Sequence, residues 1–354
     1  MPSHSSKFYG DILASLLAHD ELPEDRMRHV LEEILSGRWD EAEIAAFLVA
    51  LRMKGETSRE LAAAAQVLRE QMVRFETTCP GVLDTCGTGG DRSKTFNIST
   101  VTALVVAGAG VPVVKHGNRA SSSSSGSADV LSVLGLPIDV DQDSVLRGFE
   151  KTGLAFCFAP QFHPGLRRLG PIRRRLGVRT LFNCLGPLAN PAGAHYQLLG
   201  VGWPELLDPM AQALARLGTR HAFLVSGHDG LDEVTLSGPT RVREVRNSQV
   251  SRLEWTPHDF GLAPCQTASL QVDGPESSAA RIRDILLAKP GPSTCVVVAN
   301  AAAALLAADA VQNLKEGVLR AQETLARGRP RVILNELIAC YQNSANPEEF
   351  RSPF

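Results

Sequence analysis

Net charge is nearly absent from this chain: 36 Lys and Arg stand against 38 Asp and Glu over 354 residues, a formal balance of −2. Bulk attraction to nucleic acid or to an anionic membrane is therefore not expected, any phosphate recognition has to be local, and the expected partner is a small molecule. The seven cysteines include no Cys-x-x-Cys pair, and an odd number leaves at least one unpaired. That argues against a disulfide framework or a zinc site and for a reduced, cytoplasmic setting. Long apolar runs are missing as well. The two most apolar stretches, Val101 to Val114 and Val296 to Val311, are too short for a bilayer and are interrupted by Pro112, Asn300 and Asp309. Both read as buried core elements, and no membrane contact is expected. Met1 to Lys7 do not present a basic region, an apolar stretch and a cleavage site in order, so no secretory signal is expected. No internal repeat is visible, and the only low-complexity segment is Ser121 to Ser125.

What is present is the composition of an ordinary globular protein, 44% apolar and 21% charged, long enough for two domains. From Phe8 to about Val73 the periodicity is helical throughout, with apolar sets such as Ile12, Leu16, Leu17 and Val30, Leu31, Ile34, Leu35. Four helices are expected, with a start at Pro23-Glu-Asp25, ends at Gly37 and Gly55, and a capping box at Thr57-Ser-Arg-Glu60. After Pro80 short β-branched runs alternate with helical windows: Val82 to Asp84, Val111 to Val114, Leu154 to Phe158, Leu198 to Val201 and Ala222 to Val225. The expected fold is α/β, a small N-terminal helical domain (residues 1–76) and a larger domain (77–354) with a mostly parallel sheet flanked by helices. An antiparallel addition is expected between Thr235 and Trp255 with a turn at Ser237-Gly-Pro-Thr240, then helices around Ala279 to Leu287, Ala301 to Leu306 and Leu314 to Leu325.

Three motifs fall where an apolar strand is expected to meet a helix: Asp84-Thr-Cys-Gly-Thr-Gly-Gly-Asp91, Asn97-Ile-Ser-Thr100 and Lys115-His-Gly-Asn-Arg119. Glycine lets backbone N–H groups approach phosphate oxygens, and a helix N-terminus favours negative charge. Together they describe a pocket for a polyanionic phosphate ester at the strand ends, where Gly87, Lys115 and Gly227 are expected. The glycine loop alone also reads as a tight turn, and Ser99 or Thr100 as an N-cap before a helix at Val101 to Ala107. Asp229-Gly-Leu-Asp-Glu233 reads either as a solvated acidic turn or as carboxylates for Mg²⁺. Among Arg167, Arg168, Arg173, Arg174, Arg175 and Arg179 most are expected to be solvated or paired, with one free to clamp a carboxylate. His163 reads as a structural histidine before it reads as a general base, and Cys86 as a small buried residue.

Taken in order with Ser125-Gly-Ser-Ala-Asp129, Phe158-Ala-Pro160, His163-Pro164, Arg179-Thr-Leu-Phe-Asn183 and Leu185-Gly-Pro-Leu188, these motifs resemble the anthranilate phosphoribosyltransferases. The resemblance is specific to roughly Thr240 and one of pattern beyond it. It implies a homodimer, a helical domain joined by helices from about 163–192, and transfer of the phosphoribosyl group of 5-phosphoribosyl 1-pyrophosphate to the amino nitrogen of anthranilate, releasing pyrophosphate, in tryptophan biosynthesis. By motif position it implies that Gly87, Gly90, Asp91, Thr95, Asn97, Ile98, Ser99, Thr100, Lys115, His116, Gly117, Asn118, Arg119, Ala120, Ser121, Ser122, Ser123 and Ser127 hold the donor. Ser99, Asp232 and Glu233 would serve Mg²⁺; Gly87, Asn118 and Arg173 would receive anthranilate, the arginine pairing with its carboxylate. No residue is implied as acid or base. Ser124 and Ser226 depart from the pattern, standing where relatives often carry a lysine or larger apolar residue and a histidine. Two alternatives remain at this stage: a pyrimidine nucleoside phosphorylase, set apart by consuming phosphate rather than releasing pyrophosphate, and a noncatalytic nucleotide- or nucleic-acid-binding relative, set apart by salt-sensitive binding without turnover.

Overall fold

The computed structural model describes residues 4–91, 93–120 and 125–342. Four helices open the chain: α1 (His4–Leu17), α2 (Glu24–Ser36), α3 (Glu41–Lys54) and α4 (Ser58–Gln71). Their ends follow local chemistry. Asp40 and Thr57 form reciprocal capping boxes with Glu43 and Glu60, and Gly37 and Gly55 close α2 and α3. Glu60 also reaches beyond its own helix. Fully buried, it accepts from Leu22 N at 2.9 Å and from Lys54 Nζ at 2.8 Å, so one carboxylate binds the α1–α2 turn to the end of α3.

The chain then alternates: β1 (Leu83–Gly87), α5 (Ile98–Gly108), β2 (Val113–Gly117), α6 (Ser127–Val133), α7 (Gln142–Thr152) and β3 (Leu154–Phe158). Three helices, α8 (Ala159–Phe162), α9 (Leu169–Leu176) and α10 (Leu181–Leu188), precede β4 (Tyr196–Gly200), α11 (Leu207–Arg216) and β5 (His221–Gly227). The hairpin β6 (Thr240–Arg246) and β7 (Gln249–Trp255) follows, then α12 (Pro257–Phe260), α13 (Pro275–Leu286), α14 (Pro292–Ala307), α15 (Leu314–Ala326) and α16 (Arg329–Gln342).

One seven-stranded sheet runs β3-β2-β1-β4-β5-β6-β7, parallel through β5 and antiparallel in its last two pairings. The hairpin turns at Asn247 and Ser248, both at positive φ (49° and 64°), as a two-residue turn between right-twisted strands requires. The Ser237-Gly-Pro-Thr240 turn instead leads into β6. Strand order reverses direction between β2 and β4 on either side of β1, with Gly87 level with Gly200. That switch point is where open α/β sheets hold ligands.

Two cores flank the sheet. On one face α5, α14 and their neighbours bury an almost wholly apolar layer; α14 is buried nearly all round. On the other, the bundle helices share a core with Leu169 and Ile172 of α9, with α10 and α11, and with Cys86, Leu199 and Leu224 of the strands. Helix α16, which the sequence reading did not assign, packs on α5 and α7, and Tyr341 Oη accepts from Phe156 N at 3.3 Å. Pro330 masks it in sequence, yet a proline in the first helical turn gives up only an N–H that had no partner.

Candidate active site

At the carboxyl ends of β1 and β2, with the loop after β5 against them, lies a cavity of about 660 Å³. Its walls include Gly87, Gly90, Asp91, Thr95, Asn97, Ile98, Ser99, Lys115, His116, Gly117, Asn118, Ser127, Asp232 and Glu233. The three strand-end motifs and the acidic loop therefore do converge. A second cavity of about 920 Å³ shares Gly90, Asp91 and Asn118 with the first and adds Arg119, Ala120, Arg173, Arg179, Asn183 and Trp203. Gly87 borders only the first. Ser121, Ser122, Ser123 and Ser124 lie outside the described residues.

The structure corrects several local expectations. Helix α5 starts at Ile98, so Ser99 and Thr100 stand in its first turn rather than at its cap, and Thr100 is buried away from the cavity. The N-cap position is Asn97, whose side chain makes no capping bond. It is occupied elsewhere: Asn97 Oδ1 accepts from Ser125 Oγ and Ser278 Oγ, each at 2.8 Å. The first N–H groups of α5 are nonetheless engaged: Ile98 N donates to Phe96 O at 2.7 Å, Thr100 N to Asn97 O at 3.2 Å, and Ser99 N to the Glu233 carboxylate. Lys115 sits inside β2 rather than beyond it, as does His116; the strand ends at Gly117.

Lys115 is buried. Its ammonium donates to Thr85 O and, at 3.2 Å, to Ser99 Oγ. Burial pulls its pKa down while Asp84, Cys86 and Glu233 oppose that. His116 donates from Nδ1 to Gly186 O at 3.1 Å, and burial with its neighbour His163 pushes it down to about 3. It is a neutral ring. His163, buried and hydrogen-bonded through Nε2 to Ala189 O at 3.0 Å, is structural and does not border the cavity.

The acidic loop divides by role. Asp229 accepts from Thr235 Oγ1 at 2.9 Å, from Ser237 Oγ at 2.7 Å and from Thr267 Oγ1, which fastens the loop. Asp232 and Glu233 face the cavity. Asp232 Oδ2 accepts from Gly89 N at 3.0 Å, and a Cβ on Gly87 would lie 2.7 Å from the same oxygen, so a side chain there would have to displace the Asp232 carboxylate. Burial and then the charges of Asp91 and Glu233 push Asp232 well above the usual carboxylate range. Burial, opposed by Lys115 and aided by Asp91, pushes Glu233 up to about 8. Carboxylates crowded in this way form the donor set that a divalent cation relieves. Two carboxylates at such a site suit Mg²⁺, an ion that takes a few carboxylate oxygens and retains waters and substrate oxygens.

Of the arginines, Arg167 donates to Pro160 O, Arg168 to Trp39 O, and Arg175 pairs with Glu41. Arg179 forms a buried two-point pair with Glu56 at 2.7 and 2.9 Å. Arg173, half-buried, has no carboxylate partner among the described residues; Nη2 lies 3.4 Å from Asn183 Oδ1 and burial lowers its pKa. It faces the second cavity. The sequence reading missed Trp203, Arg52 and the Glu56–Arg179 pair. An aromatic residue just past the β4 strand end was a signal for the first; nothing local marked the others.

A helical bundle joined to a mostly parallel sheet with a phosphate-type pocket at its switch point defines a class. Residues 10–72 match the glycosyl transferase family's helical bundle domain and residues 80–331 its a/b domain. Curated relatives include anthranilate phosphoribosyltransferases. The anthranilate phosphoribosyltransferase of Laribacter hongkongensis is 46% identical over 331 residues, covering 92% of this chain and 96% of the relative. That of Thermomicrobium roseum is 48% identical over 323 residues, covering 90% and 93%. The crystal structure of the Thermus thermophilus anthranilate phosphoribosyltransferase superposes with a TM-score of 0.88 at 40% identity, over 94% of this chain and 99% of that one. The Saccharomyces cerevisiae enzyme, solved in complex with PRPP and Mg, gives 0.87 at 29% identity over 95% and 98%. The chain belongs to the anthranilate phosphoribosyltransferase family.

Proposed function

We infer that this chain transfers the phosphoribosyl group of phosphoribosyl pyrophosphate (PRPP) to the amino nitrogen of anthranilate, releasing pyrophosphate and forming N-(5-phosphoribosyl)anthranilate, with Mg²⁺ as cofactor. The observation that carries the reading is the pair of adjoining cavities. One is lined by glycine-loop donors, Lys115 and crowded acids; the other holds an arginine without a carboxylate partner; Gly90, Asp91 and Asn118 stand between them.

In this reading Gly87, Gly90, Thr95, Asn97, Ile98, Ser127 and the Lys115 to Ala120 strand end hold the donor. Ser99, Asp232 and Glu233 hold the cation, which neutralises charge on the departing pyrophosphate. Arg173 and Asn118 orient the acceptor carboxylate and amine, so that nitrogen and ribose C1 meet at the shared wall. An arylamine is neutral at pH 7 and needs no strong base, in keeping with His116 and His163 being buried and neutral rather than poised to move protons.

We also propose a division into a helical unit (1–76, joined by α9 and α10) and an α/β unit (77–354), residence in the cytoplasm, and a homodimer. Exposed Leu17, Val49 and Met53 on α1 and α3 favour self-association; light scattering checks it. No helix among the described residues is long and apolar enough to cross a membrane. The functional test is the loss of anthranilate fluorescence on adding PRPP, with and without Mg²⁺, together with an assay for released pyrophosphate. Consumption of inorganic phosphate with a nucleoside, and no use of anthranilate, would overturn the reading.

A further inference from the structure

Trp203 lies in none of the substrate motifs, yet it touches the parts that must act together. Its indole covers Gly90: a Cβ placed there would fall 2.2 Å from Cη2, and Gly90 itself holds a φ of 81°, so the loop turns left-handed directly beneath the ring. The residue before it, Gly202, donates its N–H to Thr88 Oγ1 at 3.1 Å, and Thr88 N donates to Gly200 O at 2.9 Å. The segment after β4 is therefore bonded to the glycine loop along its length. On its other side the indole meets the Arg179 guanidinium, with Cζ 5.4 Å from the ring. That guanidinium is fixed by Glu56, which sits between α3 and α4 with a side chain 0% exposed.

We propose that Trp203 is a positioning residue that ties the glycine loop to the helical bundle through Arg179 and Glu56, setting the donor's pyrophosphate site relative to the acceptor cavity. A rigid indole suits the task. It has two rotatable bonds, fills the space left open by Gly90, and offers a π face to a cation whose own position is locked by a buried two-point ion pair. The glycine loop belongs to the sheet and Glu56 to the bundle, and this contact chain runs between them. The proposal rests on the reading that the first cavity takes PRPP.

The test measures PRPP binding by calorimetry in Mg²⁺, and steady-state kinetics, for wild type, W203F, W203A, E56Q and W203A/E56Q in the full chain. Loosening the loop is expected to raise the Kd for PRPP about tenfold or more in W203A, with kcat falling too, because misplacement of about an ångström is costly in a two-substrate site. W203F is expected to recover most of both, since a smaller ring keeps the π contact. E56Q is expected to shift binding in the same direction, and the double variant to lose less than the product of the single effects, the mark of residues acting as one unit. If W203A is poorly folded, W203L carries the same comparison. Unchanged PRPP affinity in every Trp203 variant overturns the proposal, as does a rise confined to the KM for anthranilate or strict multiplicativity in the double variant. A wild type that binds no PRPP overturns the functional reading and the proposal together; a wild type that binds, with variants that match it, overturns the proposal alone.

Discussion

The backbone N–H of Gly89 donates to Asp232 Oδ2 at 3.0 Å, a bond between residues 143 apart in the chain. It makes the glycine loop and the acidic loop a single unit. On the proposed reading, this pairing would set a cation at Asp232 and Glu233 beside the pyrophosphate of the donor.

Asp232→Asn combined with Glu233→Gln is expected to lower turnover by about 100-fold or more, the scale of losing a principal electrostatic stabiliser. The fold should survive, because both replacements remove crowded charge and the Asn carbonyl still accepts from Gly89. In the presence of PRPP, Mg²⁺ should raise the Tm of wild type and leave that of the double variant unmoved. Near-normal turnover in the variant would refute the assignment.

Arg173→Ala is expected to raise the KM for anthranilate about 10- to 100-fold, matching the ~1.5–3 kcal/mol of a charge-assisted hydrogen bond, with a much smaller effect on the KM for PRPP. Arg173→Lys should recover little, since a point charge does not reproduce a planar two-point contact. Initial-rate kinetics with each substrate varied in turn checks this, and equal effects on both would contradict the role.

Glu60→Ala would strand the buried Lys54 ammonium and the Leu22 and Thr57 N–H groups that now donate to the carboxylate. Breaking a buried pair from one side costs about 3–5 kcal/mol. Urea denaturation should show that loss, whereas removing the exposed Arg327–Glu323 pair should cost about 0–1 kcal/mol.

Acid should weaken the fold through His116. Its pKa falls from 6.5 to about 3 on folding, so between those values the unfolded chain binds the extra proton. The stabilisation is complete above pH 6.5 and is lost as pH falls towards 3. Urea titrations across that range should show a shallower decline in His116→Asn, and by NMR the His116 ring should not titrate near neutrality. A ring that protonates close to pH 6.5 would overturn this.

The sequence declares those features whose cause is local. The Thr57–Glu60 box, the Gly37 and Gly55 helix ends and the alternation into parallel strands rest on spacing along a few residues and are present; the meeting of the glycine loop with Asp232 and Glu233, 143 residues on, follows instead from the rule that ligands gather at strand ends and from the family resemblance. Where two local readings compete, only tertiary contacts decide. Ser99 and Thr100 are as good a cap as any, but Asn97 is drawn to Ser125 and Ser278, residues far along the chain, and the helix starts earlier. The arginine stretch is uniform in sequence, and only the positions of Pro160, Trp39, Glu41 and Glu56 show that Arg173 and Arg174 are left without an acidic or backbone-carbonyl anchor among the described residues, Arg173 being the half-buried one of the two. Trp203 belongs to no motif, and its place just past the β4 strand end is only a weak signal, since its importance lies in what Gly90 lacks.

The central place of β1 has a consequence for synthesis on the ribosome. Its two neighbours are β2, made soon afterwards, and β4, which begins only at Tyr196. Until more than half of the polypeptide has emerged, one long side of β1 has no permanent occupant and offers its free backbone groups to any passing strand. A nascent chain that stalls within that interval is a substrate for aggregation or chaperones, and a fragment ending before β4 is expected to be insoluble even though it contains every glycine of the phosphate loop.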